Sequence, residues 1–380
     1  MSEPCLANDK HLNNNRFTAY AVETLDSIYT HYSVADTLLL RENFPFDNEY
    51  IASYLASHEQ KRPNPYSFLW PYSGSLTAVA VLYETTADKH FLQLLDDKVL
   101  PALEEYFDQS RSPDAYASYI RSAPLSDRFY DDNVWIGIDF TDLYLASKDP
   151  RFLEKAKLIW RFIESGIDSL LGGGIYWCEQ KKTSKNTCSN APGSVYALKL
   201  YLATNENSYL EQGKALYEWT KAYLQDTTDY LYYDNIRRSG RMDKTKYAYN
   251  SGQMMQAAAL LYKITKDNQY LIDAQNIAES CCNYFFNGLQ TDGADSFRLL
   301  KGGNVWFTAV MLRGFFELYS IDGNKTCMNA FRQNLDYAWK SMRDDDGLFG
   351  SDWSGRRKDN YKWLLTQWAM VEMYARMAAF

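Results

Sequence analysis

Two aspartates side by side open the most suggestive stretch of the chain, Arg128-Phe129-Tyr130-Asp131-Asp132-Asn133-Val134-Trp135-Ile136-Gly137-Ile138-Asp139. They sit between aromatics and begin an apolar run of helical period. Neighbouring carboxylates repel, and desolvating both charges costs free energy. On the first turn of a helix the two side chains diverge by roughly 100°. Their carboxyls can then lie about 5–5.5 Å apart, the separation used in double-displacement glycoside hydrolysis. The same pair also reads as an N-cap followed by a first-turn acid favoured by the helix dipole. Asp139 falls two turns further along the same face, where a substrate contact and a structural polar contact are both open.

What must position this pair is a helical repeat. Apolar residues recur at helical period in about twelve segments, while sustained strand alternation is scarce. The periodicity predicts helices over 15–33, 66–85, 90–108, 128–147, 150–168, 190–204, 207–224, 247–265, 268–286, 303–320, 325–342 and 359–379. Alternate members start on small or polar residues and run on as continuous apolar sequence: Ser73-Gly74-Ser75-Leu76, Asp131-Asp132-Asn133-Val134, Pro192-Gly193-Ser194-Val195, Asn250-Ser251-Gly252-Gln253 and Gly302-Gly303-Asn304-Val305. These recur at roughly 60-residue intervals, the signature of a two-helix unit. A helix apolar all round must be buried all round. The intervening helices, such as Phe152-Leu153-Glu154-Lys155-Ala156-Lys157, are amphipathic. Six buried helices ringed by six half-exposed ones make an all-α (α/α)6 barrel. The expected organisation is one domain over 15–380 with a flexible terminus over 1–14.

In such a ring the starts of the buried helices converge at one end. Tyr130, Trp135, Asn190, Tyr249, Asn250, Trp306 and Trp363 are placed there, with Trp177 on the Gly172-Gly173-Gly174 loop. Aromatics make up 16% of the 380 residues, a density suited to clefts that bind sugars by flat apolar faces. Net charge is −8 and no Lys/Arg block exceeds three residues, which argues against nucleic acid or an anionic membrane surface. No stretch reaches the roughly 18 apolar residues of a membrane span, and the start shows no signal peptide. The six cysteines lack zinc spacing and suit ordinary reduced thiols; Cys178 and Cys188, flanking a polar loop, are the candidate disulfide. Asp344-Asp345-Asp346-Gly347 lacks an EF-hand ligand ladder and reads as a solvated turn, so no metal is expected. The histidines His11, His31, His58 and His90 all precede the aspartates and none starts a buried helix, which disfavours sugar epimerisation.

Four motifs together resemble glycoside hydrolase family 76, the endo-α-1,6-mannanases. They are Tyr130-Asp131-Asp132-Asn133-Val134-Trp135; Gly172-Gly173-Gly174-Ile175-Tyr176-Trp177 with Lys185-Asn186-Thr187-Cys188-Ser189-Asn190; Tyr249-Asn250-Ser251-Gly252; and Trp306-Phe307-Thr308-Ala309-Val310-Met311-Leu312-Arg313-Gly314 with Gln367. Their order covers about residues 60–379, and the last segment resembles the Bacteroidetes-like bacterial branch. The resemblance implies retaining hydrolysis of internal α-1,6-mannosidic bonds, with Asp131 the nucleophile and Asp132 the acid/base. Tyr130, Trp135, Trp177, Asn190, Tyr249, Asn250, Trp306 and Arg313 are then candidate substrate-binding residues. No cofactor is expected, the partner is α-mannan or its oligosaccharides, a monomer is expected, and family habit places such enzymes in the periplasm, at the cell surface or outside. A transglycosylase using the same aspartates and a catalytically silent glycan-binding protein are the alternatives.

Overall fold

The computed structural model describes residues 5–47, 49–56, 64–293 and 295–380. Six helices form the inner ring: α2 (Leu69–Thr86), α5 (Tyr130–Ser147), α7 (Thr187–Thr204), α9 (Ala248–Thr265), α11 (Val305–Asp322) and α13 (Leu364–Ala378). Each touches the next, and α13 returns to α2, so the ring closes. The outer layer is α1 (Cys5–Tyr32), α3 (Lys89–Leu94) running through a π turn into α4 (Leu100–Leu103), α6 (Pro150–Glu164), α8 (Asn207–Leu224), α10 (Asn268–Phe285) and α12 (Thr326–Ser341). This is the (α/α)6 barrel anticipated from the periodicity. Of the terminus expected to be flexible, residues 1–4 lie outside the described residues.

One local device makes the repeat. The inner helices α2, α5, α7, α9 and α11 end on a left-handed residue, Ala87, Lys148, Asn205, Lys266 and Gly323 respectively, with φ between 54° and 67°. That conformation terminates a helix by letting the cap N–H reach back to the last-turn carbonyl. An acid follows directly in three units, where Asp88, Asp149 and Asp267 accept from the N–H groups of His90, Arg151 and Gln269 and start the outer helix. The chain therefore reverses in two residues. Inner helices bury every side, as α9 does from Ala248 to Leu261. The outer helices bury one stripe.

Close contact between inner helices needs glycine at one crossing. A Cβ on Gly252 of α9 would lie 2.4 Å from Met311 Cα, and one on Gly314 of α11 would lie 2.3 Å from the Gly252 carbonyl oxygen. Away from the helix starts, charges pair between inner helices: Lys199 with Asp142, Lys263 with Glu317, and Arg313 with Glu372.

Several boundaries differ from the periodic reading. The last inner helix starts at Leu364 rather than 359, because Lys362–Trp363 (β9) pairs with Asn43–Phe44 (β1). The three-stranded sheet β4 (Ser184–Asn186), β5 (Tyr233–Arg237), β6 (Met242–Lys246) and the hairpin β7 (Phe286–Asp292), β8 (Asp295–Leu300) decorate the loops. Two-sided polar strands carry no clear alternation to read. The candidate Cys178–Cys188 pair is not formed: both are buried free thiols, as expected, but Cys282 of α10 and Cys327 of α12, expected to be reduced, are joined by a disulfide across 6.3 Å between Cα atoms. Asp344 and Asp346 are neutralised by Lys358 and Lys362.

The α9–α11 crossing gives the first prediction. Gly314→Ala forces a methyl into backbone, so unfolding free energy should fall by about 1–3 kcal/mol with helix content intact. Denaturant titration followed by circular dichroism checks it; an unchanged midpoint would contradict the close approach.

Candidate active site

The starts of the inner helices and their loops surround a cleft of about 540 Å³. Its lining includes Asp131, Asp132, Trp135, Trp177, Asn186, Cys188, Asp234, Tyr249 and Trp306. Asp131 and Asp132 occupy the first turn of α5. The segment before them is pinned from both sides. Arg128 is fully buried; its guanidinium donates to both carboxylate oxygens of Glu179 (2.7 and 2.6 Å) and to the carbonyls of Arg111 and Pro113. The Tyr130 N–H donates to the Trp177 carbonyl at 2.9 Å. Trp177 can come this close because Leu171, Gly172, Gly173 and Gly174 all have positive φ. A Cβ on Gly174 would also strike the Trp219 ring.

The two carboxyls are held differently. Asp131 Oδ2 accepts from Trp177 Nε1 (3.0 Å) and from the Cys188 thiol (3.3 Å), and Oδ1 from the Asp132 N–H (3.0 Å). Asp132 receives no hydrogen bond from the described residues and faces the cleft. Burial raises the pKa of Asp131 to about 7, with the donors Cys188, the Asp132 N–H and Trp177 pulling against the rise. Burial raises Asp132 well above the ordinary carboxylate range, and the Asp131 charge adds to the rise. Asp132 is thus the stronger proton holder and Asp131 the one equipped to stay ionised. One charge and one proton on adjacent residues is the state that double displacement starts from.

Of the residues singled out in the sequence, Trp135, Trp177, Tyr249 and Trp306 line the cleft with the two aspartates. Four others are placed elsewhere. Tyr130 turns away from the cleft and stacks on Phe162 of α6 at 4.6 Å. Asn190 is consumed by backbone: it bonds the N–H and carbonyl of Ile175 and the carbonyl of Asn186. Arg313 makes a two-pronged ion pair with Glu372 (2.7 and 2.8 Å) beneath Trp135 and Trp306 and opens away from the helix starts. Asn250 is fully buried behind Asp234. Asp139 accepts from Thr77 at 2.6 Å, below the cleft floor. Trp363 is tied by its Nε1 to Glu42, which also accepts from Tyr54 and so fixes that wall.

Several residues of the cleft were missed, Cys188, Asp234 and Tyr54 among them. Cys188 stood in a quoted motif, but nothing in a sequence marks a thiol that will meet a carboxylate. Asp234 lies on β5, whose pairing was not legible. Tyr54 lies in a loop before the first inner helix.

The pKa directions set a stability test. A carboxyl protonated in the folded chain but ionised in the unfolded one weakens folding as pH rises above the unfolded value of about 3.9. Asp132→Asn removes that penalty. The variant should equal wild type near pH 4 and gain on it by about 1.4 kcal/mol per pH unit while folded Asp132 keeps its proton. Thermal unfolding from pH 4 to 8 checks this; a difference independent of pH would contradict the raised pKa.

Comparison with known proteins identifies the family of the chain. The model for glycosyl hydrolase family 76 matches residues 47–380. A family 76 mannosidase from Bacteroides thetaiotaomicron superposes with a TM-score of 0.86 at 34% identity, covering 96% of this chain and 98% of that one. A second structure from the same organism, named a family 76 α-mannanase, gives 0.84 at 25% identity over 97% of each chain. A Schizosaccharomyces pombe protein whose name carries the words mannan endo-1,6-alpha-mannosidase is 25% identical over 37% of this chain; the match spans 34% of its own length.

Proposed function

This chain belongs to glycosyl hydrolase family 76 and is a glycosidase, and from that premise we propose that it is a retaining endo-α-1,6-mannanase. The observation that carries the proposal is the unequal treatment of adjacent carboxyls: among the described residues, Asp131 lies under two side-chain donors and Asp132 under none. The mannosidase and mannanase names of its relatives support the substrate class.

In the proposed reaction the ionised Asp131 attacks the anomeric carbon of the mannosyl unit, and the C–O bond to the leaving sugar breaks. Asp132 gives its proton to the departing oxygen. A mannosyl ester on Asp131 remains. Asp132, now a carboxylate facing the open cleft, takes a proton from water as that water attacks the same carbon. Asp131 leaves ionised and Asp132 is protonated again. Trp177 and Cys188 keep the attacking oxygen aimed and stabilise it as a leaving group in the second step. Trp135, Tyr249 and Trp306 offer apolar faces to the ring that carries oxocarbenium character. Asp234, Asn186 and Asn235 are the polar lining available to mannose hydroxyls.

An exported location fits the Cys282–Cys327 cross-link, since disulfides persist in oxidising compartments. Among the described residues no helix is long and apolar enough to cross a membrane.

Product analysis on unbranched α-1,6-mannan tests the reading. Wild type should release shorter manno-oligosaccharides from the polymer. Asp131→Ala and Asp132→Ala should each lower turnover by at least about 10³-fold while remaining folded. A folded wild type that leaves the polymer intact would overturn the mannanase assignment, and longer products would point to transglycosylation.

A further inference from the structure

Beyond the cleft, the rim carries two more hollows that the reaction does not use. One, of about 270 Å³, lies between the starts of α9 and α11 and is lined by Lys246, Tyr284, Lys301 and Asn304 among others. It shares Tyr247 and Phe307 with the catalytic cleft, so those two rings form a common wall. The second, of about 450 Å³, lies between the loop Thr228–Leu231 and the last turns of α10. It shares Tyr284 with the first. Cleft, first hollow and second hollow therefore follow one another along a single path, divided by aromatic side chains.

The tyrosines on this path are among the most exposed rings of the chain: Tyr247 at 37%, Tyr284 at 39% and Tyr230 at 43%. Single exposed rings need no explanation, but a file of them along a groove leading out of a cleft does. Tyr230 sits in the turn closed by its N–H on the Asp226 carbonyl, at φ 59°, a conformation costly for a bulky residue. The Lys301 ammonium lies 3.7 Å from the Tyr284 ring centre and fixes its orientation. Lys246 is already paired with Asp226 and Asp229, so the path presents little free charge there. Asn276, Glu279 and Asn283 supply hydroxyl-bonding groups in the second hollow. Aromatic faces and amides, with the opposite charges of Glu279 and Lys301 along the same path, suit a neutral glycan.

We propose that Tyr247, Tyr284 and Tyr230 form a secondary carbohydrate-binding track that holds the stretch of a long mannan chain lying outside the cleavage site. The proposal rests on the mannanase reading for the identity of the glycan, and on continuity with the cleft for its occupant. The track anchors the polymer after each cut and raises apparent affinity for long chains over short ones. A tetrasaccharide filling the cleft meets Tyr247, which lines both, and on this proposal only longer chains engage Tyr284 and Tyr230.

The test is the double variant Tyr230→Ala/Tyr284→Ala, which leaves the wall residues Tyr247 and Phe307 in place. In the active chain, kcat/KM on unbranched α-1,6-mannan should fall about 3- to 10-fold through KM, with α-1,6-mannotetraose turnover unchanged. In an Asp131→Ala background, where polymer is not consumed, electrophoretic retardation in gels containing the same mannan should weaken by a like factor. Equal losses on polymer and tetraose, or no loss on either, would overturn the track. Retardation that depends on the tyrosines in a wild type that cleaves nothing would uphold the track and sink the mannanase reading; no retardation and no cleavage would sink both.

Discussion

Two carboxyl groups on consecutive residues, both drawn out of bulk water, cannot both carry charge without a large free-energy cost. The structure meets that constraint by dividing the proton between them. Among the described residues, the donors that reach the pair are aimed at Asp131: the Trp177 indole, the Cys188 thiol and the Asp132 N–H. Asp132 is left with burial and a neighbouring negative charge, and both keep its proton on. In the proposed mechanism that asymmetry is what turns a repulsive pair into an acid and a nucleophile. It depends on two side chains from separate segments, Trp177 and Cys188, reaching one oxygen of Asp131 while the neighbouring backbone N–H holds the other.

The barrel exists, in this sense, to hold those arrivals still. The repeated left-handed cap and two-residue reversal set six helix starts around one opening. Arg128 locks the approach to α5 by its ion pair with Glu179, and the glycine run lets Trp177 fold back over it. Below the cleft, Arg313 and Glu372 brace the floor aromatics through the ring interior. The raised carboxylates are a local cost to folding, offset by a core that the inner helices bury on all sides. Binding machinery sits on helix starts and short loops, where backbone is rigidly tied and side chains still reach the opening.

The helical repeat and the aspartate pair were legible because both are periodic or local. An all-apolar helix announces its burial, and small polar residues at recurring starts announce the shared end. Orientation within a turn was not legible. Tyr130 precedes the reactive pair by one residue, yet a step of roughly 100° sends it into the α6 packing instead of the cleft. Asn190 and Arg313 carried the right chemistry, but their partners, Ile175 and Glu372, are 15 and 59 residues away. Cys188 and Asp234 went unread for the converse reason: their roles come from tertiary neighbours on other segments. The loop sheets, the π turn in the first outer helix and the Cys282–Cys327 link likewise depend on contacts that no local pattern encodes.

The stereochemistry of the first product tests the division of labour most directly. Proton NMR of α-1,6-mannan digestion, read before mutarotation, distinguishes the two courses of displacement. The account predicts that the newly released reducing end first appears as the α anomer, because two inversions at Asp131 restore the configuration. First appearance of the β anomer would mean single displacement by water. That result would contradict the role given to Asp131, whatever the chain's turnover.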